Sequence, residues 1–336
     1  MSPFIRCLVA VLSLVCFPAW AASVPGLYQV KEPVAAEQQA QDREQALQRA
    51  LSTLVVRLTG DAQSANSAAL AELRKNPQQI VSQYGYSGDA LVVEFDPLST
   101  DRQLRAAGLA LWGANRPAVL TWWLNDTTEG SQLVGESQSA AAPLQVAAQY
   151  RGLPLRLPLA DLSEQIVATE ENLAARESLE LKEASERYES DVVLTVRAKQ
   201  SADSWQANWQ FWLGEQHEQG VAKAASQAEL ADAVMLAVQQ RLAPRFVIKA
   251  GGQETLTLVI DGVTMARFVQ VERLLEPFAA RLQHTEGSRL TYQVRASAEQ
   301  LRGQLGLGHL REVTPPVEEA GQPAAAGDAQ TLYFAW

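Results

Sequence analysis

The sequence predicts an α+β protein of three small mixed α/β units, the central one a layered sheet with helices on it. Three observations carry this. Segments of alternating apolar residues interleave with segments of helical spacing along the 336 residues. Pro117 and the run Ala250-Gly251-Gly252 punctuate that pattern. The composition, 47% hydrophobic and 20% charged, is that of a globular chain long enough for two or three domains. The expected division is a signal peptide at 1–21, an N-terminal α+β unit at 22–116, a central α/β unit at 117–250 and a C-terminal α+β unit at 251–336.

The first segment sets the compartment. Arg6 is its single charge, residues 7–17 are mostly apolar, and Pro18 breaks the run. Ala19-Trp20-Ala21 then places small residues where a cleavage site needs them. An apolar stretch this short cannot span a bilayer, which takes roughly 20 residues. Both cysteines, Cys7 and Cys16, fall in the part removed. The product is expected in a periplasm, with no disulfide, no thiol nucleophile and no thiolate metal site.

In the first unit, 24–30 reads as a strand and 36–58 as a helix. Leu47, Leu51, Leu54, Val55 and Leu58 line one face of that helix, and Gly60 stops it. A short helix near 68–74 ends at Pro77. Leu91, Val93 and Phe95 alternate in a strand at 90–95, and 99–111 is helical. In the second unit, 118–124 is a strand, 125–139 a loop, and an Ala-rich helix follows to Gln149. Residues 153–157 form a strand, Asp161 caps a short helix, and 172–188 is a second helix. Strands at 191–196 and 205–213 precede an amphipathic helix at 226–242.

The third unit opens with a strand marked by Leu256, Leu258 and Ile260. A helix at 264–275 is ended by Pro277. A hairpin turns around Glu286-Gly287, and a helix covers 297–305. Residues 314–329 are rich in Pro, Ala, Gly and Glu and read as a flexible insert. The apolar tail Leu332, Tyr333, Phe334 and Trp336 is expected to return as a strand on this unit's sheet.

The run FDPLSTDRQLRAAGLALWGANRPAVLTWW at 95–123 resembles the DUF2066 family of exported gammaproteobacterial proteins. LPLRLPLADL at 153–162, ASERYESDVVL at 184–194 and WQANWQFW at 205–212 extend the resemblance to nearly the whole chain from residue 24. It implies an exported envelope protein and carries over no catalytic residue. The second unit is also similar in architecture to the N-terminal domain of TolB and related periplasmic assembly proteins, an analogy of fold alone.

No catalytic constellation is legible. His217, His284 and His309 are scattered in polar stretches, there is no Gly-x-Ser-x-Gly elbow, and no glycine run has the order of a phosphate loop. Three histidines, and no cysteine after residue 21, argue against a metal centre. No cofactor is expected. A net charge of −10 disfavours nucleic acid.

Glu177, Glu180, Glu183, Glu186 and Glu189 recur every third residue. They read as a solvated helix face with Glu183–Arg187 and Arg176–Glu180 pairs. The alternative is an acidic stripe for a basic partner. Trp205, Ala207, Trp209, Phe211 and Leu213 share one strand face and read as core, the alternative being a sugar-stacking platform with Trp122 and Trp123. The connector 112–117 reads as a rigid turn with Trp112 filling a domain seam. The alternative makes Trp112, Asn115 and Arg116 interaction candidates, together with Trp212, which breaks the polar side of its strand.

The reading is a non-enzymatic periplasmic adaptor or assembly factor whose partner is another envelope protein. The alternative is a glycan or small-ligand binding module, with a carboxylate-based hydrolase third. An exposed apolar patch between the units would favour the adaptor, an open aromatic groove the glycan module, and a convergent carboxylate pair in a deep cleft the hydrolase.

Overall fold

The computed structural model describes residues 24, 26–34, 40–247, 255–278, 280–314 and 331–336. The expected signal peptide, the glycine hinge at 250–252 and all of the insert beyond residue 314 lie outside the described residues. The α+β class holds, with three separate sheets.

The first sheet is antiparallel, in the order β1 (Gln29–Pro33), β3 (Ala90–Phe95), β2 (Val81–Ser87). Leu91, Val93 and Phe95 project from β3 onto α1 (Ala40–Thr59), burying the helix's leucine stripe. Two shorter helices, α2 (Ala71–Lys75) and α3 (Pro97–Ala106), complete this part. The strand expected at 24–30 starts later, because residues 26–28 form a turn in which Gly26 takes φ +68°.

The central sheet runs β5 (Gly130–Leu133), β4 (Val119–Thr127), β7 (Val192–Ser201), β8 (Ser204–Leu213), β9 (Gln216–Ala224), with β6 (Leu155–Arg156) beside β4. Only the β4–β6 and β4–β7 pairs are parallel. Side chains alternate across a strand, so Trp122 and Trp123 point to opposite faces. Both faces are covered. Trp123, Val196 and Trp209 pack with α4 (Ala141–Arg151) and α8 (Gln227–Phe246). Trp122 and Leu120 pack with α6 (Glu170–Ala174) and α7 (Leu179–Glu186), a layer that α5 (Leu162–Val167) completes. Gly60 leaves α1 with φ +69°, and a Cβ there would fall 1.9 Å from the Cβ of Ala243 in α8.

The third sheet has the order β11 (Arg281–Glu286), β12 (Arg289–Arg295), β10 (Thr255–Asp261), β14 (Thr331–Ala335), β13 (Arg311–Glu312). Its helices are α9 (Met265–Leu275) and α10 (Ala298–Gly306). The apolar tail is indeed a strand of this sheet. β14 lies parallel to β10 and antiparallel to β13, with Leu332 and Phe334 buried beside Leu258 and Ile260.

Four strands escaped the sequence reading, the two-residue β13 among them. β2, β5 and β9 are polar and form edges or near-edges, so no apolar alternation marks them. The helix expected at 172–188 is two helices. Ser178 accepts from the Leu181 amide and restarts the chain as α7. The carbonyls freed at the break are taken from the sheet: Gln210 Nε2 donates to Leu173 and Ala175, and Thr195 Oγ1 to Leu173.

Candidate interaction site

The connector residues lie inside the chain. Arg116 is fully buried, and among the described residues no carboxylate pairs with it. Its Nη2 donates to the Arg57 carbonyl at 2.8 Å and to Trp112 at 3.0 Å; Nη1 donates to Gly152 at 3.0 Å and Nε to Gly113 at 3.1 Å. Arg57 ends α1 and Gly152 caps α4, where unpaired carbonyls accumulate. One guanidinium thus closes two helix C-termini. Burial, and then the nearby charge of Arg57, push its pKa down to about 9.

Arg57 repeats the device, donating to the carbonyls of Tyr150, Leu27 and Gln29. Burial lowers its pKa to about 10. Trp112 is buried, with the Arg116 guanidinium 4.3 Å from its ring centroid. Asn115 is half-buried and donates to the Arg273 carbonyl at 3.2 Å. Trp212 is half-buried and stacks on His217 at 5.1 Å, while His217 Nε2 bonds Gln210 Oε1 at 3.0 Å.

The tryptophan strand lies in the core. Ala207, Trp209 and Phe211 are buried under α8, and Trp122 and Trp123 are buried on either face. Gly220 makes room for Trp209: a Cβ there would lie 2.4 Å from the indole. Among the described residues, no three His, Cys, Asp or Glu side chains converge as a metal site.

A groove of ≈ 750 Å³ opens between α1 and α2, lined by Gln48, Arg49, Ser52, Arg74 and Lys75. Its floor holds the buried Glu32 carboxylate, which accepts from Thr53 Oγ1 at 2.8 Å and the Tyr150 hydroxyl at 3.1 Å. Burial is the main cause that raises the pKa of Tyr150. This is one carboxylate with two hydroxyls, not a carboxylate pair.

The other surface feature is the α5–α7 layer. Leu159, Leu162 and Ile166 are exposed there, and so is Leu179 at the start of α7. Leu162 and Ile166 stand four apart, hence on one helix face. Polar contacts beneath hold them outward. The Asp161 carboxylate accepts from Ser163 Oγ at 2.6 Å and from the Glu164 amide at 3.0 Å. Those bonds, with Arg187, hold its carboxyl down at about 2.

The Glu164 side chain is buried; it accepts from Arg187 and from the Tyr188 hydroxyl, while the same hydroxyl accepts from the Leu159 amide at 2.9 Å. Arg187 therefore reaches back to Asp161 and Glu164 rather than making the expected pair with Glu183. Glu177, Glu180, Glu183, Glu186 and Glu189 are all exposed. A Leu or Ile at an outward helix position was readable only with the helix orientation in hand. The sequence reading passed over both.

No helix among the described residues is long and apolar enough to cross a membrane. A family model for a domain of unknown function, DUF8605, matches residues 21–113. That replaces the DUF2066 resemblance read from the sequence, whose main motif overlaps the matched segment only at 95–113. No curated protein matches the chain. Among solved structures, the LpoB C-terminal domain from Salmonella enterica is similar at 14% identity, covering 33% of this chain and 83% of that one. Its TM-score is 0.23, too loose a superposition to assign a fold or a role, and the expected likeness to TolB is not borne out.

Proposed function

We propose that this protein is a non-enzymatic adaptor or assembly factor of the cell envelope, exported by residues 1–21, that acts by binding another protein. The observation that carries the reading is the group Leu159, Leu162 and Ile166, large aliphatic side chains left in water on α5 and the segment that leads into it. The aromatic side chains that a glycan platform would need are largely committed to the core. In the connector, the interaction candidates Trp112 and Arg116 serve the chain's own seam, which leaves Asn115 and Trp212 as half-buried candidates for the periphery of an interface.

The small-ligand reading has one observation in its favour, the polar groove over Glu32 and Tyr150. It ranks second because that floor is already satisfied internally.

The test is site-specific photocrosslinking in intact cells. A photoreactive residue at Leu162 should give a discrete heavier product that one at exposed Asp203 does not give. No product, or the same products from both positions, would overturn the proposal. N-terminal sequencing of the purified protein should begin at Ala22 or Ser23; a retained Met1 would remove the export claim.

A further inference from the structure

We infer that the outer face of the α5–α7 layer docks a cationic, aliphatic segment of a partner protein. This rests on the protein-binding reading above and adds to it the surface and the chemistry of the partner.

Two independent features meet on this layer. The first is apolar: Leu162 is 74% exposed, Ile166 68%, Leu179 67% and Leu159 61%. Their helices are not loosely attached. α6 and α7 bury Leu173 and Leu181 against Trp122, and α5 packs on α7. The exposed aliphatics are therefore an outward surface of an ordered layer, not a core left open.

The second feature is charge. Residues 161–189 hold nine Asp and Glu against three Lys and Arg, more than half of the chain's net charge of −10. Arg187 is spent on Asp161 and Glu164. The carboxylates of Glu177, Glu183 and Glu186 face water.

Together these features select the occupant. An anionic lipid surface or an acidic protein would be repelled. A basic segment without aliphatic residues would leave the leucines wet. A second copy of this chain offers exposed Met265 and Val269 on α9, but Arg273 there stands between exposed Glu272 and Glu276, so that surface is not a cationic one. A segment with Lys or Arg flanking aliphatic residues at helical spacing satisfies both features.

The probe is a fluorescein-labelled 18-residue peptide of Leu and Lys, with Leu at helix-face spacing. It is titrated by anisotropy against the full exported chain. Binding should be saturable and weaken at least tenfold in the Leu162→Ser/Ile166→Ser variant. It should also weaken at least tenfold in Glu177→Lys/Glu183→Lys, and fall as salt is raised. Because all four side chains are exposed, circular dichroism should be unchanged in both variants.

A Glu/Leu peptide of the same spacing should not bind, and a Lys/Ser peptide should bind at least tenfold more weakly. Equal affinity of wild type and either variant would overturn the inference. So would tight binding of the Glu/Leu peptide, uptake onto vesicles of phosphatidylglycerol, or self-association lost in Leu162→Ser/Ile166→Ser. A protein crosslinked through position 162 by an acidic segment would overturn the chemistry assigned here and leave the protein-binding reading standing. An absence of crosslinks would remove that reading itself.

Discussion

The indole of Trp112 lies parallel to the ring of Phe246, with centroids 5.5 Å apart and an interplanar angle of 7°. Trp112 belongs to the connector that precedes the central sheet, and Phe246 is the last residue of α8. The same Phe246 ring lies 3.3 Å from where a Cβ of Gly303 in α10 would stand. One aromatic ring thus touches the chain leaving the first sheet and the helix layer of the third. The Arg116 guanidinium also lies over the Trp112 ring. The seam between the three sheets is a packed core, and its weak points can be tested individually.

Arg116→Met should be strongly destabilising. It leaves the Gly152 carbonyl without the guanidinium that satisfied it and the Arg57 carbonyl with Gln239 Nε2 at 3.2 Å in its place, in a buried site. Loss of a buried charged donor costs about 3–5 kcal/mol. Arg116→Lys should recover only part of this, because an ammonium cannot fan out to four carbonyls. Urea unfolding of the two variants measures the difference; a shift below about 1 kcal/mol for Arg116→Met would contradict the seam described here.

Gly60→Ala should weaken the contact between α1 and α8. The backbone is left-handed at φ +69°, and the new methyl would meet Ala243. Strain and overpacking together cost about 2–4 kcal/mol. The paired change Gly60→Ala/Ala243→Gly should return the overpacking part but not the strain. A thermal melt of both variants separates the two contributions.

Phe334→Ala tests the returning tail. The side chain is buried beside Ile260, and its removal should cost about 3–5 kcal/mol in urea unfolding of the full chain. Deleting 331–336 should be at least as harmful, since β10 and β13 lose their shared partner strand. Unchanged stability on deletion would mean that the tail is held elsewhere in solution.

The candidate docking face should depend on acid pH through Asp161. Its carboxyl titrates at about 2 in the fold, below the ordinary value of 3.8. A carboxyl held low by its bonds stabilises the folded form above the ordinary value and loses that contribution as pH falls through the lowered one. The α5 cap should therefore hold at pH 4 and above and release between about 4 and 2. Hydrogen exchange at the Glu164 amide reads this directly. Asp161→Asn should keep the cap and flatten the pH dependence, whereas Asp161→Ala should expose the amide at every pH.

Much of this protein was determined locally by its sequence. The leucine stripe of α1, the alternation of β3, β8 and β10, the Asp161 cap and the apolar tail each carry a short-range signal: a period, a capping residue or surface that water rejects. Those signals gave the α+β class and most elements within a few residues. The polar edge strands β2 and β9 carry no such signal, because their hydrogen bonds come from β3 and β8 rather than from their own pattern.

Tertiary structure alone decided the rest. It placed Arg116 in the seam that Trp112 was expected to fill, because a guanidinium becomes a clamp only where two helix ends converge on it. It divided the expected 172–188 helix by presenting Thr195 and Gln210 to the freed carbonyls. It also left Leu162 and Ile166 in water. An apolar residue in a sequence carries no statement of which way its helix will face, and packing of Ala160, Val167 and Ala168 around α5 into the Trp122 cluster fixed that direction.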